Sequence, residues 1–174
     1  MPEDSNPNAT FYQYRLIKKI NFSNKLLLLY MILPCLAVLV EMYFISWTSL
    51  IYWILAAPIV LWVQYVISRT TVILTGYHYR KRWKFQLRLP WLGYFPIQHM
   101  NYRTYRKVQF YTFWVGIIVF SALIFWSPAA FIISLWFWHL WLMLPAMIIY
   151  FKLLRVPNGG MLKLNHQDAS YYLQ

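Results

Sequence analysis

Residues 108–151 read VQFYTFWVGIIVFSALIFWSPAAFIISLWFWHLWLMLPAMIIYF and contain no charged side chain. The hydrocarbon core of a bilayer is about 30 Å thick and takes roughly 20 helical residues to cross, so this stretch is long enough for two crossings. Trp126, Ser127 and Pro128 interrupt it, and Trp is favoured where the bilayer meets water. We therefore predict two membrane-spanning helices, residues 110–126 and 129–151, joined by a tight turn.

A second stretch of the same kind lies nearer the N-terminus. Between Lys25 and Arg69 the only charged residue is Glu41, and the sequence SWTS at residues 46–49 marks a turn. Backbone polar groups in hydrocarbon must be satisfied within their own segment, which makes helix the default for every span. The predicted spans are residues 26–45 and 48–67, and the predicted fold class is an all-α integral membrane protein with four transmembrane helices in two helical hairpins.

The composition agrees with a membrane protein and excludes most catalytic chemistry. The chain has 174 residues, of which 61% are apolar, against 45–50% in soluble globular proteins. Its four acidic residues, four His and one Cys are too few for a multi-carboxylate metal centre, a His-rich di-iron site or a dithiol relay. The sequence motifs of hydrolases, P-loop proteins and zinc proteases are missing as well. We predict that the protein is not an enzyme and that it holds no cofactor or metal.

The positive charges predict the orientation. The chain has 16 Lys and Arg residues, and none of them falls in either hairpin turn. The positive-inside rule then places both termini and the central segment in the cytoplasm of a multi-pass cell-membrane protein. The predicted organisation is a cytoplasmic N-terminal segment, a first hairpin, a cytoplasmic basic-aromatic segment, a second hairpin and a cytoplasmic tail: residues 1–25, 26–67, 68–109, 110–151 and 152–174.

The basic-aromatic segment contains a pattern typical of a strand. Residues 82–89 (RWKFQLRL) alternate polar with apolar side chains, which predicts a strand with one wet and one buried face. The β-branched residues 70–75 (TTVILT) end at Gly76 and are a candidate partner strand for a short β-hairpin. Because an isolated two-stranded hairpin is marginal in water, we expect it to need a lipid surface or another protein.

Three kinds of partner suit this segment, and the residues alone leave all three open. Lys and Arg with interleaved aromatic rings suit anionic lipid headgroups, single-stranded nucleic acid, or a protein that pairs with a strand edge. Juxtamembrane basic residues also set topology without binding anything. The candidate partner- or lipid-binding residues are Arg80, Lys81, Arg82, Trp83, Lys84, Phe85, Arg88, Arg103, Arg106 and Lys107.

Three polar side chains fall inside the predicted spans. Glu41 is an intramembrane acid and therefore a candidate for ion coupling, although its place about one turn from the outer surface favours an interfacial or partner-facing role. His139 lies near the midplane without a second His in any span. Haem is one candidate ligand for a buried histidine, but it usually takes two axial ligands. For His139 we therefore favour a hydrogen bond to a neighbouring helix, and for Gln64 we expect an interhelical contact.

The central segment resembles a known family. Residues 80–96 read RKRWKFQLRLPWLGYFP, and a small polytopic protein with such a stretch beside a hydrophobic hairpin is similar to the TcpE/ConD-type membrane subunits of Gram-positive conjugation systems. The likeness covers residues 10–126 and includes no catalytic or binding motif. It implies a subunit of a type IV secretion-like DNA-transfer channel that works beside a separate ATPase.

The sequence thus predicts a non-catalytic membrane subunit or scaffold. Its expected partners are other membrane-protein subunits, a cytoplasmic ATPase and anionic lipid headgroups, with nucleic acid as a further candidate, and we expect it to oligomerise. The alternative is a small oligomeric transporter or channel that uses Glu41 and His139.

Overall fold

Four long helices dominate the computed structural model of the chain, which describes residues 15–76, 81–157 and 159–173. All four are long and apolar enough to cross a membrane, so the prediction of four apolar helices of spanning length is confirmed. The helices are α1 (Asn24–Phe44), α2 (Ser49–Thr75), α3 (Tyr102–Ala122) and α4 (Ala129–Leu153).

Polar side chains mark the beginnings of α1 and α3. The Ser23 hydroxyl accepts a hydrogen bond from the Leu26 backbone N–H at 3.3 Å. The Asn101 side chain accepts one from the Arg103 backbone N–H at 2.9 Å. Such N-caps satisfy donors that have no partner within the helix. Each N-cap residue therefore lies where the chain passes from a strand to a helix.

Two helices extend beyond the predicted spans. Helix α2 continues to Thr75 and α3 begins at Tyr102, roughly two turns outside residues 67 and 110 respectively. Charged residues such as Arg69 limit the part of a helix that can lie in hydrocarbon, but they do not end the helix itself. At the other end of α3, residues Leu123–Phe125 form a 3-10 turn before the connection to α4.

A β-hairpin is present in the central segment, but its second strand is not the one that the sequence predicted. Strand β2 (Trp83–Leu87) pairs with β3 (Leu92–Pro96) in antiparallel register, Trp83 opposite Pro96. The prediction of a strand within residues 82–89 is confirmed, whereas the proposed strand at residues 70–75 is wrong because these residues continue α2. Val72 is fully buried there, so packing outweighs the β-propensity of this stretch.

A four-stranded antiparallel sheet lies outside the spans and was not predicted. Its order is β1 (Arg15–Asn21), β6 (Asp168–Leu173), β5 (Met161–Leu164) and β4 (Met100–Asn101). It joins residues from both ends of the chain, since Arg15 stands opposite Leu173 and Asn21 opposite Asp168. The all-α description therefore holds for the four spans and is incomplete outside them.

The sheet and the hairpin pack together as one layer, which we call the cap: residues 15–22, 81–101, 154–157 and 159–173. Trp91 links its parts, because its indole N–H donates to the Asn165 carbonyl at 2.6 Å and its ring meets Phe22 edge-on at 5.2 Å. Trp83, Trp91 and Phe95 are each at most 3% exposed in the shared core. The partner that the hairpin needs is thus supplied by the chain itself.

The cap covers one end of the helical bundle. Strand β1 leads into α1, the hairpin follows α2, β4 leads into α3 and β5 follows α4. The Lys18 ammonium group donates to the Lys152 carbonyl at the end of α4, at 2.6 Å. Both ends of the described chain and its central segment therefore lie on the same side of the four helices.

Candidate functional site

The basic side chains gather at the cap end of the bundle. Every Lys and Arg in the described ranges lies in the cap or in the two helical turns next to it. Arg106 is partly buried, while Arg80 lies outside the described residues. The exposed basic members of the predicted set are Lys81, Arg82, Lys84, Arg88, Arg103 and Lys107.

The two aromatic residues predicted to contact a partner differ in exposure. Trp83 is only 3% exposed and stacks on Tyr94 at 5.5 Å, so it belongs to the core of the cap rather than to its surface. Phe85 is 44% exposed and Leu87 is 71% exposed. Side chains alternate across a strand, so Phe85 and Leu87 lie on one face of β2, where Phe85 meets Tyr65 of α2 edge-on at 5.9 Å. Lys84 lies on the other face, and Arg88 follows the end of the strand.

Few acidic groups offset this charge. Lys19 forms an ion pair with Asp168 at 3.9 Å, and Asp168 also accepts hydrogen bonds from Asn165 and Ser170. Desolvation and the charge of Lys163 lower the pKa of His99, which keeps this imidazole uncharged at neutral pH. The charge of the cap thus comes from Lys and Arg.

A polar cluster joins three helices inside the bundle. The Gln64 amide of α2 donates to His139 Nδ1 of α4 at 2.9 Å. His139 Nε2 lies 3.2 Å from the Phe113 carbonyl of α3 and, as the other ring nitrogen, donates to it. His139 is 1% exposed. Gln64 and His139 thus have interhelical partners of the kind expected from the sequence.

Gly116 makes room for this imidazole. A Cβ atom at Gly116 would lie 2.8 Å from Nε2 and 2.9 Å from Nδ1 of His139, closer than any relaxed contact. One helical turn nearer the cap, the Ser68 and Thr112 hydroxyls share a hydrogen bond of 2.8 Å between α2 and α3. The interfaces among α2, α3 and α4 thus combine a small residue with polar contacts, as is typical of membrane helices.

Helix α1 is held to α4 at two polar contacts. Near the cap, the Tyr30 hydroxyl donates to the Trp141 carbonyl at 3.2 Å, the Trp141 indole donates to the Tyr30 carbonyl at 2.8 Å, and the rings stack at 4.2 Å. Further along, the Ser134 hydroxyl lies 2.9 Å from Oε1 and 3.1 Å from Oε2 of Glu41. Apart from Tyr30 and Glu41, only Pro34 of α1 is buried.

The structure separates Glu41 from Gln64 and His139. Glu41 reaches α4 through Ser134, five residues before His139, and five residues turn a helix by about 140° beyond one full revolution. The two contacts therefore lie on different faces of α4, one toward α1 and the other toward α2 and α3. The sequence alone does not reveal Ser134 or Gly116 as their partners, because the register between helices is needed.

Four spanning helices and a folded cap define a multi-pass α-helical membrane protein. Within the described ranges, no three His, Cys, Asp or Glu side chains lie close enough to hold a metal ion. Neither a family model, nor a curated protein, nor a solved structure matches this chain.

Proposed function

We propose that this protein is a non-catalytic subunit of a larger membrane assembly, and that the assembly is a conjugative DNA-transfer channel of the type IV secretion-like kind. The helices anchor the chain in the cell membrane, with the cap on the cytoplasmic side as the positive-inside rule requires. The proposal is carried by strand β2 and the residue after it, where the exposed apolar side chains of Phe85 and Leu87 alternate along the chain with the exposed cations Lys84 and Arg88.

A protein partner suits this strand best. Exposed apolar and charged side chains stand next to one another along it, and docking surfaces between proteins combine these two kinds of side chain. The cations favour an acidic partner, such as another membrane subunit or a cytoplasmic ATPase. They also attract anionic headgroups, at about 1 kcal/mol for each Lys or Arg near the bilayer, and nucleic acid. The conjugation assignment rests on the likeness of residues 80–96 to TcpE/ConD-type subunits.

Charge reversal on β2 tests the proposal. We expect the double variant Lys84→Glu, Arg88→Glu to recover at least about tenfold less of the partner ATPase when the tagged chain is purified in mild detergent, because like charges at an interface are costly. The control is Arg155→Glu, an exposed cation after the end of α4, which should leave recovery unchanged. Isolation of the wild-type chain alone, as a compact dimer, would contradict the subunit role.

The second candidate function is a small oligomeric transporter or channel. Glu41 favours it, because this buried acid lines a cleft of about 560 Å³ bounded by Leu33 of α1, Trp53 of α2 and Phe137 of α4. An acid inside a span is a functional candidate by default.

Flux measurements separate the two functions. For a non-catalytic subunit we expect purified protein in vesicles to pass no more H⁺, Na⁺ or K⁺ than protein-free vesicles, and Glu41→Gln and His139→Ala to change nothing. Cys35→Ser, at an exposed position of α1, is the matched control. Flux in the wild type and the control that disappears in both test variants would replace the subunit role with transport.

A further inference from the structure

A cavity of about 220 Å³ lies between α3 and α4 at the cap end of the bundle. Tyr105, Gln109 and Phe113 of α3 line one side, and Met143 and Tyr150 of α4 line the other. The cavity therefore runs from the first turn of α3 toward the apolar middle of the span.

Two polar atoms on its wall have no partner. Among the residues that the structure describes, neither Tyr105 Oη nor Gln109 Oε1 makes a hydrogen bond, although both atoms are buried. Tyr105 as a whole is 1% exposed. Buried polar groups nearly always have a partner, and an unsatisfied one is destabilising. A phenol can donate, whereas an amide oxygen only accepts, and a ligand hydroxyl group can both accept and donate.

The two ends of the cavity differ in character. Arg106 lines it next to Tyr105, one turn into α3, while Trp114 and Met143 line the part further from the cap. A cation at the edge of a bilayer attracts anionic headgroups, and an apolar groove between helices suits an acyl chain.

We propose that this cavity binds one anionic phospholipid whose headgroup carries a free hydroxyl group, as in phosphatidylglycerol. Arg106 pairs with the phosphate, the headgroup hydroxyl accepts from Tyr105 and donates to Gln109, and an acyl chain lies along Phe113 and Met143. The site does not depend on the proposed role in an assembly, since all of these residues belong to α3 or α4 and none belongs to β2.

Lipid titration followed by native mass spectrometry tests the site. Dioleoyl phosphatidylglycerol, phosphatidylethanolamine and phosphatidylcholine are added separately to the detergent-purified chain. We expect phosphatidylglycerol to bind about tenfold more tightly than phosphatidylcholine. The variants Tyr105→Phe, Gln109→Leu and Arg106→Gln should each weaken the binding of phosphatidylglycerol by about fivefold, which corresponds to the loss of one hydrogen bond. Arg103→Gln, an exposed cation on the same turn, should bind as the wild type does.

A second measurement separates lost binding from lost folding. In lipid-free detergent, Tyr105→Phe should unfold at the wild-type temperature or above it, because the substitution removes an unpaired buried hydroxyl. Equal affinity for phosphatidylglycerol and phosphatidylcholine, or wild-type affinity in both Tyr105→Phe and Gln109→Leu, would overturn the proposal. Displacement of the lipid by soluble glycerol phosphate at equal concentration would overturn it too, by indicating a site for a small anion.

Discussion

The substitution Gly116→Ala is expected to destabilise the helical bundle by about 3 kcal/mol, at the upper end of the cost of overpacking a core. The new methyl group would overlap the His139 imidazole. That ring cannot simply turn aside, because Gln64 and the Phe113 carbonyl hold its two nitrogens. Chemical unfolding in detergent micelles measures the loss, with Ile118→Ala, on the exposed face of α3, as the control.

A double-mutant cycle identifies the cause. If the methyl group acts by overlapping the imidazole, Gly116→Ala should cost little further stability once His139→Ala has removed the ring. The stability losses of the two single variants then do not add in the double variant. Additive losses would show that Gly116 matters for some reason other than His139.

The substitution Gly160→Ala is expected to disrupt the cap, again at a cost of about 3 kcal/mol. Gly160 donates to the Tyr171 hydroxyl at 2.8 Å and accepts from the Tyr102 backbone N–H at 3.0 Å, while the same Tyr171 hydroxyl donates to the Pro157 carbonyl. A Cβ atom at Gly160 would overlap the Tyr172 backbone carbonyl, which moves only if β6 moves. Amide hydrogen exchange should therefore rise across β5 and β6 while the spans stay protected.

The neighbouring glycine is a matched control. No atom lies within 4 Å of a Cβ placed on Gly159, so Gly159→Ala should leave the cap intact. It should raise the free energy of unfolding by up to about 1 kcal/mol, because alanine restricts the unfolded chain more than glycine does. Equal damage from Gly159→Ala and Gly160→Ala would mean that the linker tolerates no side chain at all, and the specific contact with Tyr172 would not be the cause.

The four apolar helices could be predicted from sequence because hydrocarbon excludes charge from long stretches of the chain. Helix ends could not, since a helix continues past the bilayer wherever other residues cover it. Thr75 and Tyr102 end and begin helices well outside the predicted spans because the cap packs around these turns.

The strands were predictable only where polar and apolar side chains alternate within the strand itself. Residues 82–89 show this alternation, and β2 forms there, although Phe85 and Leu87 on the predicted buried face are exposed. Strand β1 has a single buried residue, Ile20, so it carries no alternation to detect. Its pairing with β6 joins residues at opposite ends of the sequence, which no pattern within either strand reveals.

Some of the candidate sites could likewise be predicted from the sequence, and one could not. Glu41, Gln64 and His139 stand out as polar residues in apolar stretches, and a hydrogen-bonding role follows from their setting. The exposed cations of the central segment follow from charge alone. The cavity between α3 and α4 could not be predicted, because Tyr105 and Gln109 are ordinary residues until α4 is placed against them.

The pairing of β1 with β6 imposes an order on biosynthesis. Strand β1 is made before α1, whereas its hydrogen-bonding partner β6 is made after α4, when all four helices are available for insertion. Until β6 is made, the edges of β1 and β5 that it covers stay exposed, and an exposed strand edge is a known cause of aggregation. The sheet therefore closes only after all four helices have been synthesised.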